Sequence, residues 1–236
     1  MGGRASAAGR PRRGAALVRE TWRIGDSRPP PGHDDPHEQQ CRRLLETLRR
    51  HCPDWVPSPP LPPGETTEPV TVERRLVETL AVTAAIGAAG IDGPDGEPTA
   101  PGVVWVDGEN ELFVAVTKVQ VHLAPGAIAV TLPVSCDQVG EADVHVTFAV
   151  GAPGRTLGMV AATEDRPRGP REVVDLWGEA LTAFAWQVVL DVSAGTAAHA
   201  GQDRDGAFLL PAALTATGDG ITVLPQARHG FDRAVR

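Results

Sequence analysis

Residues 112 to 134 read LFVAVTKVQVHLAPGAIAVTLPV, and residues 144 to 150 read VHVTFAV. Apolar side chains alternate with polar or small ones at a period of two, which is the pattern of strands with one buried face. A strand is expected over residues 112 to 123, with Phe113, Ala115, Thr117, Val119, Val121 and Leu123 on one side and Lys118, Gln120 and His122 on the other. Ala124-Pro125-Gly126 turns the chain, after which Ile128, Val130, Leu132 and Val134 resume the alternation. Past a polar turn around Gly140 it returns in Val144, Val146, Phe148 and Val150, and a further strand is expected at residues 157 to 162. Upstream, residues 103 to 106 join this run through Asp107-Gly108-Glu109-Asn110, a hairpin-type connection.

Around this meander the period changes to that of helices. Pro170 opens a helix in which Val173, Trp177, Leu181, Phe184 and Val188 keep helical spacing. Trp177 and Trp186 point in different directions on it, so one exposed tryptophan is expected. Val72, Leu76, Leu80 and Thr83 mark another helix that closes near Gly87 to Gly90, and residues 207 to 217 with 221 to 224 form a closing hairpin around Thr217-Gly218-Asp219-Gly220. The order helix, strand meander, helix, hairpin predicts an α+β fold, with an antiparallel β-meander sheet covered by helices on one face.

The amino-terminal third has a different character. Residues 1 to 35 lack sustained periodicity and end in an Arg28-Pro-Pro-Pro-Gly32 run, the signature of an extended Arg/Pro-rich arm. Residues 36 to 52 place Cys41, Leu44, Leu45, Leu48 and Cys52 on one helical face, predicting an amphipathic helix docked through its leucines. Residues 53 to 69 hold seven prolines and read as a stiff strap that spaces this helix from the α+β body at residues 70 to 236.

Charge divides along the same line. Residues 1 to 50 carry 11 Arg against 6 acids, and the rest of the chain carries 11 Lys or Arg against 24 acids, so a formal charge of −8 conceals a basic arm on an acidic body. Arg4, Arg10, Arg12, Arg13 and Arg19 all precede the first acid, Glu20, with Trp22 the one aromatic beside them. An arm of this kind suits an acidic protein surface, including the body of a neighbouring copy. Nucleic acid is not expected, because the body is acidic and stacking aromatics are scarce. Three cysteines without a CxxC pair fit a reducing, cytoplasmic compartment, and no apolar run of the length of a membrane span is read from the sequence. The use of 21 Arg against one Lys suits a GC-rich bacterial genome.

The chemistry is mainly one of exclusions. Lys118, the single lysine, lies in VAVTKVQV and not in a glycine-rich phosphate loop; GxSxG, HExxH and a strand-linked GxGxxG are missing, and there is no tyrosine. His33, His37 and Cys41 have residue types that suit zinc but lack a fourth ligand in sequence, so neither a metal nor a cofactor is expected. Carboxylates at Asp92, Asp95, Glu97, Asp203 and Asp205 are explained by turn chemistry. Cys136 is a candidate nucleophile only if His145 reaches it. The function expected is therefore a non-enzymatic structural or assembly subunit of a multiprotein complex, whose arm contacts other subunits through Arg4, Arg10, Arg12, Arg13, Arg19 and Trp22. The alternative is a small-molecule binder or enzyme using the polar sheet face around Lys118, Gln120, His122 and His145.

Overall fold

The computed structural model describes residues 36 to 93, 97 to 155 and 166 to 228. Its elements run α1 (Pro36–His51), β1 (Val70–Glu73), α2 (Arg74–Ala88), β2 (Val103–Asp107), β3 (Asn110–Val114), β4 (Gln120–Ala124), β5 (Ala127–Cys136), β6 (Gly140–Ala149), α3 (Arg171–Ala200), β7 (Leu210–Ala216) and β8 (Gly220–Gln226). The fold is α+β, with every ladder antiparallel. β2 to β6 form a five-stranded sheet centred on β5, and a second sheet has the order β1-β8-β7.

The expected long strand over residues 112 to 123 is broken. A 3-10 turn, Val116–Lys118, separates β3 from β4, and both halves lie along the same edge of β5. Val114 pairs with Val134, yet Gln120 pairs with Thr131, so the turn inserts an odd number of extra residues. An odd insertion reverses which residues face inward. Leu112 and Val114 are buried before it, Val116 within it and Val119, Val121 and Leu123 after it, whereas Phe113 and Ala115 lie outward, against the sequence reading. The β2–β3 hairpin is as expected, its turn made by Gly108 at φ 61°, a left-handed conformation that glycine adopts without a side-chain clash.

The inner face of the large sheet packs on α2 and α3. Trp105 on β2 meets Trp177 and Phe184 of α3, while Val144, Val146 and Phe148 extend the same layer from β6. Neither tryptophan of α3 is exposed: Trp177 is buried and Trp186 is half-covered beside Phe148, so the expected exposed tryptophan is Trp55 of the strap instead. By length and composition alone α3 could cross a membrane. Here its carboxyl half, from Asp191 onward, is buried on every side among α1, α2 and the small sheet.

Two further departures concern the amino-terminal third. Val72 does not begin a helix; it lies in β1 and pairs with Ile221, so that the small sheet gains a third strand before α2 starts at Arg74. The proline strap does not hold α1 away from the body. Its backbone is tied along the α3 terminus and β8, with Ser58 donating to Ala200, Leu61 to Gln202 and Thr67 to Pro225. α1 folds back onto α2 and α3, burying Leu44, Leu45 and Leu48 as the helical stripe requires. The expected strand at residues 157 to 162 and the arm at residues 1 to 35 lie outside the described residues.

Small residues make room for α1. A Cβ at Gly195 would stand 2.6 Å from the Cβ of Leu44, and one at Gly87 would stand 1.9 Å from Gln40 Oε1. Gly195→Ala is therefore expected to destabilise by about 1–2 kcal/mol, although alanine is the better helix former by about 1 kcal/mol, because the clash falls on a rigid β-carbon. Urea titration checks this; a net gain in stability would mean that α1 shifts freely.

Candidate functional site

Pairing aligns the outward side chains of the five-stranded sheet in rows. One row runs Val104, Phe113, Ser135, Glu141 across β2, β3, β5 and β6. Beside it Pro133 pairs with Asp143, and Ala115 N–H donates to the Pro133 carbonyl. Next come Gln120, Thr131 and His145, and then His122, Ala129 and Thr147. Apart from Thr131, which is buried, the side chains of these rows are half-buried or exposed.

The first two rows floor two adjoining hollows that share Phe113 and Ser135. One, of about 270 Å³, is bordered by Lys118, Glu141 and Asp143. The other, of about 550 Å³, is bordered by Glu109, Glu111 and Asp137. Together they form an open groove with an apolar floor of Val104, Phe113, Ala115 and Pro133 and five carboxylates against one ammonium on its rim. β2 closes one end of the strand order, and its Val104 and Val106 are 38% and 51% exposed. Such large apolar exposure on an edge strand is a surface that proteins ordinarily avoid unless something docks there.

The sequence-predicted polar face is brought together only in part. Gln120 and His145 share a row, and His145 Nδ1 lies 2.9 Å from Thr131 Oγ1. His122 sits in the next row, with β5 intervening, so the two histidines stand at least about 10 Å apart at ordinary strand spacing. Lys118 joins the acidic groove instead, and neither histidine borders the two hollows. Cys136 pairs with Gly140 at the far end of β5 from the Thr131–His145 pair, roughly 17 Å along the strand, which removes His145 as its base. Residues Arg4, Arg10, Arg12, Arg13, Arg19, Trp22 and His33 lie outside the described residues. Among the described residues no cluster of three metal-ligating side chains occurs. Asp203 Oδ1 accepts from the backbone N–H groups of Asp205 and Ala207, which is turn chemistry, and Asp92 pairs with Arg43 of α1.

Two buried titratable side chains, Asp191 and His199, carry no signal in the sequence. Asp191 of α3 accepts a hydrogen bond from Gln187, 2.6 Å away, and burial pushes its pKa up to about 6. His199, in the last turn of α3, lies under Trp55 at a ring separation of 5.4 Å with Nε2 unpartnered. Burial and then Arg49 lower its pKa. Both residues lie in an apolar sequence context that shows no sign of their environment; Gln187 is one turn away on α3, but Gln40 and Arg49 come from α1 and Trp55 from the strap, far away in the chain.

Comparison with protein-family models, with curated proteins and with solved structures finds no match for this chain, so its chemistry rests on the geometry of the groove and its edge.

Proposed function

We propose that this chain is a non-enzymatic structural or assembly subunit of the cytoplasm, binding protein neighbours through the outer face of its five-stranded sheet, with its amino-terminal arm contributing to contacts between subunits. The observation that carries this reading is the asymmetry of the sheet. Its inner layer is sealed by α2 and α3, while the outer layer holds, among the described residues, an open groove continuous with an apolar edge strand. Apolar floor, polar rim and free edge together make a protein-docking surface, whereas an enzyme needs convergent groups in an enclosed site. His122 and His145 do not converge in this way.

Sedimentation velocity of the full chain across a concentration series tests the reading. Val106→Lys places a charge on the free edge, where lysine commonly blocks strand pairing. Self-association about tenfold weaker than wild type, with unchanged circular dichroism, is the expected result. A wild-type chain that remains monomeric and copurifies with no protein neighbour would overturn it.

A further inference from the structure

We propose that the outer groove receives the arginine-rich segment, residues 4 to 28, of a second copy of this chain. This rests on the assembly reading above and specifies which surfaces meet. Charge complementarity argues for it first. The segment carries Arg4, Arg10, Arg12, Arg13, Arg19, Arg23 and Arg28 against Glu20 and Asp26. The groove answers with Glu109, Glu111, Asp137, Glu141 and Asp143, opposed among the described lining residues by Lys118.

Spacing argues for it next. Glu141 and Asp143 occupy outward positions two residues apart on β6, and both are exposed. Arg10 and Arg12 flank Pro11 at the same interval. In extended backbone a two-residue interval is about 6.8 Å and returns side chains to the same side, so two guanidinium groups meet two carboxylates in register. The apolar floor of Val104, Phe113, Ala115 and Pro133 suits the methylene stems of arginine and the prolines and alanines between them.

Reach is not limiting. The 35 residues preceding α1 span up to about 115 Å when extended, more than enough to leave one body and lie on another. Because the rim carboxylates are solvent-facing, the contact weakens with salt, being screened beyond about 8 Å at physiological ionic strength.

A complementation experiment on the full chain decides the matter. Two double variants are made, Glu141→Lys with Asp143→Lys and Arg10→Glu with Arg12→Glu. Each alone sets like charges against each other and is expected to self-associate at least tenfold more weakly than wild type. Mixed in equal amounts they contain one native pairing, the unaltered arm of the first with the unaltered groove of the second, so association is expected to return and to fall again in 0.5 M salt. Thermal melts matching wild type show that both variants are folded. If both variants associate as wild type does, the arm does not use this groove, although assembly through the β2 edge still stands. If wild type itself is monomeric at every concentration, the proposal is overturned, and the assembly reading falls with it when no protein neighbour copurifies. Failure of the mixture to recover association also overturns the proposal.

Discussion

Leu48→Ala is expected to lower the free energy of unfolding by about 2–5 kcal/mol. Leu48 is 1% exposed and Leu44, one turn earlier, is 0% exposed, and both join a core that continues through α2, α3 and both sheets. The cost is that of an unfilled cavity, because the surroundings are helices and strands already fixed by their own ladders. A helix of 16 residues is marginal by itself in water, so most of the order in α1 comes from this docking. Gly195 sets the distance at which Leu44 can dock, which makes the seam sensitive from both sides. Urea unfolding followed by circular dichroism measures the effect. A change of only a few tenths would mean that α1 is free of the body and that the strap holds it loosely.

The docking of α1 was legible because five positions over three turns keep one helical face, and nothing except burial demands that pattern. The hairpins were legible for a similar reason: Gly108 and the Thr217 to Gly220 turn each interrupt a clear alternation. The break at Val116 to Lys118 was not legible. Apolar residues occur at both parities through residues 112 to 123, so a continuous strand and a broken one fit the same letters. What selects the break is tertiary. β5 offers a single edge to both halves, and α2 packs on the 3-10 turn and on β4, which rewards burying Val116 together with Val119. That one reversal of face moves Phe113 and Ala115 outward and so creates the floor of the groove. The acidic groove is consequently not legible in the sequence, although the excess of acids in the body is. Charge was visible as a total, while its placement depended on the register.

Asp191→Asn is expected to stabilise the protein at neutral pH, by up to about 3 kcal/mol, and to have little effect near pH 4. Asp191 is 4% exposed, and burial penalises its charged form more than the hydrogen bonds from Gln187 and Gln40 favour it, so its pKa rises from 3.8 to about 6. Between those two values the folded chain holds a proton that the unfolded chain has released. This group's contribution to stability therefore declines as pH rises from about 4 to 6, and it stays at its lower level above that window. Asparagine has no charged form and removes the decline. It keeps a carbonyl that can accept from Gln187, and it brings an amide N–H into a neighbourhood where Gln40 Oε1 lacks a donor. Urea midpoints of both proteins at pH 4, 5, 6 and 7.5 give the test, with the two curves expected to diverge across the middle of the range. Parallel curves would show that Asp191 is solvated or paired in the folded chain, and that the small-residue half of α3 is more open to water than its packing indicates.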